Sequence, residues 1–308
     1  MNKIFSFKDL DDHYYFVFCG ISLNFKHKCH FKYKKACEYG LTQEKRTPQL
    51  IVSLTSYPAR INSVHKTINT LLTQSLKADK IILWLANEQF PNLEADLPRE
   101  LLDLKELGLT IKWCEDLKSY KKLVPALIEY PEDIIVTADD DVYYQPNTLK
   151  ILYEAYLKNP ANIYSRRTVK LQINNGVLEG VSARKYGFKH FKEASYFNQL
   201  MGGSGCLYPP HSLYKDCTNV EKIRNTIPSH DDAYFWSMAI LNKTKIQAVG
   251  GFDESLHFVE GTQEVGLMYV NKDGQSGISL ENAYKVMIKE YPEILEIIQE
   301  VSLVWTNL

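Results

Sequence analysis

Four short apolar runs alternate with segments of helical periodicity, and this rhythm constrains the fold more than any other feature of the sequence. The runs cover residues 50–54, 80–85, 109–113 and 133–137. The first, second and fourth runs are largely continuous rather than alternating in polarity, which is typical of strands that are buried on both faces of a sheet. With helices predicted over 64–72, 97–107 and 121–129 between them, the runs predict an α/β domain with a mostly parallel sheet, whose ligands bind at the carboxyl ends of the strands.

The second half of the chain is less regular than the first. Its pattern predicts helices over 148–158, 231–241 and 280–301, a hairpin over 169–181 and a flexible glycine-rich loop at 202–205. Glycine and asparagine mark the turn of the hairpin, since both tolerate the backbone angles that a tight turn needs.

We expect three regions: an aromatic and basic preface at 1–47, a main domain at 48–270 and a helical tail at 271–308. Within the preface, residues 14–25 are apolar but only about half as long as a membrane helix, and their β-branched and aromatic side chains predict strands or a hairpin. Residues 26–35 then hold five lysines and two histidines without an acid. This run is either a solvated surface stretch or a patch that meets anionic lipid headgroups.

Charge and cysteine content narrow the function classes. Lysine and arginine number 36 against 37 aspartates and glutamates, so the chain lacks the basic excess that is typical of nucleic-acid binding. The six cysteines form no C-x-x-C pair, which argues against a zinc ribbon or a redox motif. Because no secretion signal is recognisable, we expect reduced thiols in a cytoplasmic protein that is soluble or peripheral at the inner face of a membrane.

Asp139, Asp140 and Asp141 directly follow the fourth apolar run. Like charges this close raise one another's pKa, and a divalent cation removes the conflict. Oxygen ligands favour Mg²⁺ or Mn²⁺, which bind jointly with a substrate phosphate. In an extended segment Asp139 and Asp141 would share one face and Asp140 the other. The alternative is that the three acids only solvate a strand end and begin a turn.

Several segments in this order resemble the GT-A fold of nucleotide-sugar glycosyltransferases, in particular bacterial family 2 type enzymes of lipopolysaccharide or capsule biosynthesis. The likeness covers roughly residues 48–270. It implies that Asp141 binds the metal ion that bridges two phosphates, with Asp139 beside it and Asp140 nearer the ribose or donor sugar. The segments are Ile51-Val-Ser-Leu-Thr-Ser-Tyr-Pro-Ala-Arg60, Ile82-Leu-Trp-Leu85, Ser119-Tyr-Lys-Lys-Leu-Val-Pro125, Val136-Thr-Ala-Asp-Asp-Asp-Val142 and His230-Asp-Asp-Ala-Tyr-Phe-Trp236.

The chain departs from these relatives at two places. Many of them end the second strand in an acidic turn that contacts the nucleotide base, whereas this chain reads Leu85-Ala-Asn-Glu-Gln89. Asp116, after the third run, is the candidate substitute. The Q-x-x-R-W signature of processive polysaccharide synthases is also absent, so we expect one sugar to be transferred per encounter.

Other candidate donor contacts follow from position. Thr55, Ser56, Tyr57 and Arg60 lie after the first run, where Tyr57 would stack on the base and Arg60 would meet a phosphate. The alternative is an ordinary proline-containing turn with a surface arginine. Lys121 and Lys122 begin the helix predicted at 121–129, where one of them would reach the diphosphate unless both are surface lysines.

The acidic pair at the start of the predicted helix 231–241 has two interpretations. Acids in a first turn complement the helix dipole. The resemblance instead implies that Asp232 is the general base for the acceptor hydroxyl, with Asp231 the next candidate. Gly203 and Ser204 belong to a small-residue segment that we assign to acceptor binding, unless it is a plain loop. His257 is the candidate for a further metal ligand, although a lone histidine is more often structural.

Together these features lead us to expect a metal-dependent, hexosyltransferase-type glycosyltransferase. It would move a sugar from a nucleotide-sugar donor, a UDP-sugar above all, to a hydroxyl of a glycan or lipid-linked acceptor, with inversion, in surface polysaccharide biosynthesis. Two rivals stay open. One is a metal-dependent hydrolase or nucleotidyltransferase that uses the same aspartates, and the other is an inactive scaffold that binds sugar nucleotides.

Overall fold

The computed structural model describes residues 5–10, 13–18, 21–26, 33–174, 177–181, 193–250, 256–263 and 280–305. The first three strands, β1 (Phe5–Leu10), β2 (His13–Phe18) and β3 (Ile21–Lys26), pair antiparallel as a small sheet. The pairing of β2 with β3 confirms the hairpin expected within residues 14–25. Most of the basic run at 26–35 lies outside the described residues, so its contact with a membrane stays a prediction.

The other strands build the main domain. They are β4 (Leu50–Thr55), β5 (Lys80–Ala86), β6 (Leu109–Cys114), β7 (Ile134–Ala138), β8 (Val142–Tyr143), β9 (Ile163–Ser165), β10 (Thr168–Asn174), β11 (Val177–Val181), β12 (Asn198–Leu200), β13 (Cys206–Tyr208), β14 (Ile246–Ala248) and β15 (His257–Phe258). The hairpin predicted over 169–181 is confirmed as β10 and β11, whose turn lies outside the described residues.

Seven of these strands form one sheet, in the order β6-β5-β4-β7-β13-β9-β14. Six run in the same direction, and β13 runs antiparallel between β7 and β9. The mostly parallel α/β fold predicted from the four apolar runs, which are β4 to β7, is therefore confirmed. Strands β9, β13 and β14 were not predicted, because three residues are too few to show a periodicity.

Helices cover both faces of the sheet. They are α1 (Val64–Leu72), α2 (Arg99–Leu102), α3 (Val124–Glu129), α4 (Thr148–Lys158), α5 (Val220–Asn225), α6 (Asp231–Leu241), α7 (Leu280–Glu290) and α8 (Glu293–Trp305). The helix expected over 97–107 is α2 followed by a 3-10 helix that ends at Gly108, where φ is 114°. The helix expected over 121–129 is a 3-10 helix, Lys118–Lys122, followed by α3.

The single helix predicted over 280–301 is wrong, because the structure has α7 and α8 instead. Pro292 lies between them, and the residue before a proline is disfavoured in helical geometry. Both helices belong to the core of the main sheet. Trp236 of α6 meets Tyr284 of α7 edge to face, with ring centroids 5.6 Å apart, and Ile294 of α8 joins the same buried cluster. The division into regions at 47 and 270 stays a prediction.

Side chains of the central strands alternate between two buried clusters, one on each face of the sheet. In β4, Ile51 belongs to the cluster that contains Trp236, while Leu50 and Val52 belong to the cluster that contains α1. Burial on both faces explains the continuous apolar runs. In the part of the chain that the structure describes, no helix is long and apolar enough to cross a membrane.

The packing of α8 predicts that the tail contributes to the stability of the main domain. Ile294 is 0% exposed, whereas Ile128 of α3 is 62% exposed. We expect Ile294→Ala to lower the free energy of unfolding by about 2–5 kcal/mol, because it leaves a cavity in the core. The same substitution at Ile128 should change it by less than about 0.5 kcal/mol. Urea denaturation of both variants is the measurement, and equal effects would show that α8 is only loosely attached.

Candidate active site

Strand β7 carries the three consecutive aspartates to the carboxyl edge of the sheet. The chain turns at Asp140 and Asp141, so the expected alternation between two faces is wrong. Arg60 Nη1 lies 2.8 Å from Asp140 Oδ1 and 3.0 Å from Asp141 Oδ2, while Asp139 Oδ1 lies 2.8 Å from Lys122 Nζ. The turn therefore divides the three carboxylates between two buried cationic side chains.

Asp140 is buried beneath the turn. Ser56 Oγ donates a hydrogen bond of 2.6 Å to its Oδ2, and Arg60 holds its Oδ1. Burial raises the pKa of Asp140, although Arg60 and Ser56 oppose the shift. The predicted contact of Asp140 with the ribose or donor sugar stays a prediction, and the structure adds a second role, since this carboxylate anchors the loop after β4.

Arg60 is engaged by protein groups instead of being free for a phosphate. Its Nη1 contacts the two carboxylates, and its Nη2 donates to the carbonyl oxygen of Thr262 at 3.1 Å. Its guanidinium lies over the ring of Tyr57 at 5.8 Å, and its buried Nε has no hydrogen-bond partner. Thr55 Oγ1 donates to the carbonyl oxygen of Trp84 at 2.8 Å, which ties the loop to β5. The base-stacking and phosphate roles predicted for this loop stay predictions.

Asp141 is held by the segment at 256–263. The backbone N–H of Val259 donates to the Asp141 carbonyl oxygen at 2.7 Å, and Gln263 Nε2 donates to its Oδ2 at 2.9 Å. Burial, and after it the charge of Asp139, raises the pKa of Asp141 to about 6, although Arg60 opposes the shift. The carboxylate is therefore destabilised as an anion, as the sequence argument expected for adjacent aspartates.

The acidic pair of α6 lies beside Asp139, joined to it by Lys122. Lys122 Nζ is 2.8 Å from Asp139 Oδ1 and 3.0 Å from Asp231 Oδ2. Ser119 Oγ donates to Asp231 Oδ1 at 2.8 Å. Lys122 is buried, so it is not a surface lysine, and its ammonium group is directed at carboxylates. Two acidic clusters about 90 positions apart in the chain thus meet across one cation.

Asp232, the second acid of the pair, has a raised pKa. Burial, followed by the charge of Asp231, raises the pKa of Asp232 to about 7, while Lys122 and a hydrogen bond from the backbone N–H of Gly202 oppose the shift. The Gly202 hydrogen bond to Asp232 Oδ1 is 3.0 Å long. A carboxylate poised near neutral pH suits a general base better than one with the usual low pKa.

The glycine-rich segment is a buried turn and not the flexible loop we predicted. It forms a short 3-10 helix, Gly202–Ser204. A Cβ on Gly202 would lie 2.8 Å from both Lys122 Nζ and Asp232 Oδ1, and a Cβ on Gly203 would lie 2.5 Å from Asp139 Oδ2. These two positions therefore require glycine, because the charged groups of Lys122, Asp232 and Asp139 lie directly against the backbone and leave no room for a Cβ.

Ser204 is also drawn into the protein interior. Its hydroxyl donates to the carbonyl oxygen of Met201 at 2.7 Å and accepts from the backbone N–H of Arg167 at 3.0 Å. Acceptor binding by Gly203 and Ser204 stays a prediction. Their observed contacts shape the turn that faces Asp139 and Asp232.

Asp116 and Lys121 form a separate pair at the end of β6. Lys121 is buried, and its Nζ lies 2.5 Å from Asp116 Oδ1. Gln89 Nε2 donates to Asp116 Oδ2 at 3.0 Å, and the buried Oε1 of Gln89 has no partner. Burial alone would raise the pKa of Asp116, but hydrogen bonds from Lys121 and the backbone of Lys118 lower it below its usual value. Contact of this pair with a nucleotide stays a prediction.

The net charge of the site tests whether a divalent cation fits. Among the described side chains, two cationic groups, Lys122 and Arg60, lie among five carboxylates, four of which they contact directly, while Asp232 feels the charge of Lys122 without forming an ion pair with it. The carboxylates are Asp139, Asp140, Asp141, Asp231 and Asp232. Asp139 retains 33% exposure of its side chain and is open to a ligand. A negative surplus with one accessible carboxylate fits a cation that is shared with a substrate phosphate, since Mg²⁺ typically uses one or two protein carboxylates in such sites.

The structure does not assemble the three predicted metal ligands into one group. Among the described residues, no three His, Cys, Asp or Glu side chains are arranged to hold a metal ion. His257 pairs with Tyr143 across β15 and β8, two positions beyond Asp141. Asp139 and Asp141 are turned toward Lys122 and Arg60 instead. A cation would therefore be held by the two aspartates, with water or substrate oxygen atoms in its other coordination positions.

Three residues that shape the site were missed from the sequence. The Tyr144 hydroxyl accepts from the backbone N–H of Asp139 and donates to the carbonyl oxygen of Gly203, at 2.8 and 2.9 Å. Ser119 holds Asp231, and Gln263 holds Asp141. Tyr144 lies close in sequence to the predicted aspartates and Ser119 to the predicted lysines, and this proximity could have indicated both residues. Gln263 has no such signal.

Comparison with known proteins gives a distant likeness in fold. No protein-family model and no curated protein sequence matches the chain. A mannosyltransferase, PcManGT from Pyrobaculum calidifontis, solved with GDP-Man and Mn²⁺, is similar over 90% of this chain and 79% of its own, at 12% identity and a TM-score of 0.48. Staphylococcal TarS 1–349, solved with UDP-GlcNAc, is similar over 68% of this chain and 57% of its own, at 15% identity and a TM-score of 0.42.

A third similar structure belongs to a different enzyme class. CMP:2-keto-3-deoxy-manno-octonic acid synthetase, complexed with CTP, is similar over 73% of this chain and 99% of its own, at 12% identity and a TM-score of 0.40. This chain spans less than two thirds of the length of TarS 1–349. A mannosyltransferase and a synthetase are thus both among the structures that this chain resembles, and the fold class itself rests on the strand order.

The raised pKa of Asp232 predicts how stability depends on pH. A carboxyl group with a folded-state pKa near 7 and an ordinary unfolded value of 3.8 binds its proton more tightly when folded. Its contribution to stability is fully present below the unfolded value and is lost as pH rises through about 7. We therefore expect Asp232→Asn to gain stability relative to the wild type between about pH 5 and pH 8.

Urea denaturation across this range is the measurement, with Asp116→Asn as the control. Because the pKa of Asp116 is lowered, its contribution is lost only at low pH, and its difference from the wild type should stay constant over the same range. A constant difference for Asp232→Asn as well would show that the Asp232 carboxyl is not perturbed.

Proposed function

We propose that this chain is a cation-dependent glycosyltransferase that moves a sugar from a nucleotide-sugar donor to an acceptor hydroxyl. The observation that carries the proposal is the meeting of two acidic clusters at the carboxyl edge of a parallel sheet. Asp139 is open to solvent on one side of Lys122, and the acidic pair Asp231–Asp232 lies on the other. The cluster that contains Asp139 suits a cation with an anionic leaving group, and the pair Asp231–Asp232 suits removal of the proton from the acceptor hydroxyl.

On the donor side, Asp139 and Asp141 would hold the cation and Arg60 would steady Asp141. When bound, a divalent cation supplies Lewis-acid stabilisation of the departing diphosphate. Asp140 supports this arrangement from below through Ser56 and Arg60. The loop with Tyr57 and the pair Asp116–Lys121 would face the nucleotide, because both follow strands that end at this edge.

On the acceptor side, Asp232 would act as the general base. The oxygen of the acceptor hydroxyl would attack the anomeric carbon of the donor sugar, and the proton of that hydroxyl would pass to a carboxylate oxygen of Asp232. The bond between the anomeric carbon and the diphosphate oxygen would break at the same time. Attack from the face opposite the leaving group inverts the anomeric configuration. Asp231, held by Ser119 and Lys122, would position the helix start and keep its neighbour oriented.

We propose a UDP-sugar as donor and a glycan or lipid-linked acceptor, with one sugar transferred per encounter, in surface polysaccharide biosynthesis at the cytoplasmic face of a membrane. The rival is a nucleotidyltransferase or hydrolase that uses the same aspartates. Incubation with a panel of nucleotide sugars and Mn²⁺ separates them. A transferase releases a nucleoside diphosphate faster when an acceptor is present, a hydrolase is indifferent to the acceptor, and a nucleotidyltransferase releases pyrophosphate from a nucleoside triphosphate.

The donor site predicts a dependence on divalent cations. We expect binding of the accepted nucleotide sugar to require Mn²⁺ or Mg²⁺ and to be lost in excess chelator, because the surplus of carboxylates would otherwise repel the diphosphate. Asp141→Asn should remove this binding while circular dichroism stays unchanged. Isothermal titration with and without chelator is the measurement. Donor affinity that is the same under both conditions would contradict the cation assignment.

The assignment of the base predicts a separation of chemistry from binding. Asp232→Asn keeps the shape of the side chain and removes its basicity, so we expect donor binding to persist while transfer falls by about 10²–10⁴-fold. Asp231→Asn should cause a smaller loss, since Asp231 acts through its neighbour. Initial rates and donor affinity of both variants are the measurements. Transfer by Asp232→Asn within a few-fold of the wild type would place the base elsewhere, with Asp231 the next candidate.

A further inference from the structure

One buried ammonium group is shared between the two acidic clusters. Lys122 Nζ lies 2.8 Å from Asp139 Oδ1 and 3.0 Å from Asp231 Oδ2, and among the ion pairs of the described residues no other cation contacts both clusters. We propose that Lys122 couples the halves of the site: a cation that binds Asp139 displaces the ammonium group, which is then left to Asp231. The inference rests on the proposed function in placing a donor-bound cation at Asp139.

Competition at Asp139 follows from access and charge. The Asp139 side chain is 33% exposed, whereas the Lys122 side chain is 8% exposed. A cation therefore reaches the carboxylate from solvent, while the ammonium group approaches it from the protein interior. Two positive charges at one carboxylate repel each other, and the repulsion is strong where water is scarce.

Asp231 offers the place to which the ammonium group moves. Its Oδ2 is buried and accepts no hydrogen bond, even though Lys122 Nζ is only 3.0 Å away. Its Oδ1 is already fixed by Ser119. The missing Cβ of Gly202 leaves the adjoining space open, since that atom would lie 2.8 Å from Lys122 Nζ. A small rotation of the lysine side chain then completes a hydrogen bond to Asp231 without a shift of the backbone.

The consequence is an order of events. Before the donor binds, Lys122 balances part of the charge of Asp139. Once a cation and diphosphate occupy that carboxylate, the same positive charge supports the acidic pair that faces the acceptor. The acceptor side is thus completed only after the donor side is occupied. In this scheme Lys122 is a positioning residue and need not touch either substrate.

The affinity for Mn²⁺ alone tests the coupling without any turnover. We expect Asp231→Asn to weaken Mn²⁺ binding by about five- to tenfold, because the ammonium group then stays on Asp139 and competes. Lys122→Met should strengthen Mn²⁺ binding by a similar factor. In the Lys122→Met background, Asp231→Asn should change the affinity by less than about twofold, because its effect passes through the lysine. Electron paramagnetic resonance of unbound Mn²⁺ gives these affinities.

Two matched controls remove the general effect of charge. Asp232→Asn deletes an acid from the same pair and Lys121→Met deletes the neighbouring buried cation, yet neither residue forms an ion pair with Asp139. Asp232→Asn should shift the Mn²⁺ affinity less than Asp231→Asn does, and Lys121→Met should shift it less than Lys122→Met does. If Lys122→Met fails to fold, the comparison of Asp231→Asn with Asp232→Asn decides. Equal shifts in that pair overturn the coupling alone, whereas absence of Mn²⁺ binding in every protein, wild type included, overturns the cation site and the coupling together.

Discussion

The buried ammonium group of Lys122 is the interaction on which the rest of the site depends. Burying a charge is costly unless carboxylates compensate it, and removing one partner of such a pair costs more than the pair gains. The 3-10 helix Lys118–Lys122, the end of β7 and the start of α6 must therefore stay together at one edge of the sheet. In the proposed function its position would make the two sides of the site dependent on each other, because Asp139 on the donor side and Asp231 on the acceptor side share one counter-ion.

Arg60 plays the complementary part on the far side of the cluster. It binds two consecutive aspartates and also the carbonyl oxygen of Thr262, so it joins the loop after β4 to a segment 200 positions later in the chain. Its charge and that of Lys122 leave the cluster negative. The resulting surplus is tolerated because Asp141 and Asp232 have raised pKa values and because Asp139 faces solvent. A divalent cation would offset the remaining negative charge.

Close packing around the carboxylates explains the glycines. Gly202 and Gly203 lie so near to Lys122, Asp232 and Asp139 that a single Cβ would collide with them. Tyr144 fixes the same turn by accepting from the N–H of Asp139 and donating to the Gly203 carbonyl oxygen. The close contact between the glycine backbone and the charged side chains therefore sets the geometry of the site. It leaves the carboxylates little room to move, so the Lys122 side chain is the group that can change its contacts.

Local pattern was enough to predict β4 to β7, three of the helices and the mostly parallel sheet, because burial on both faces and helical periodicity are written in neighbouring residues. It also indicated both acidic clusters. It could not predict the three-residue strands β9, β13 and β14, whose stability comes from their neighbours in the sheet. Nor could it predict that Lys122 faces Asp231, or that Gln263 reaches Asp141, since these contacts join residues more than 100 positions apart. Such pairings depend on how the sheet and helices pack, and only the tertiary structure decides which charges meet.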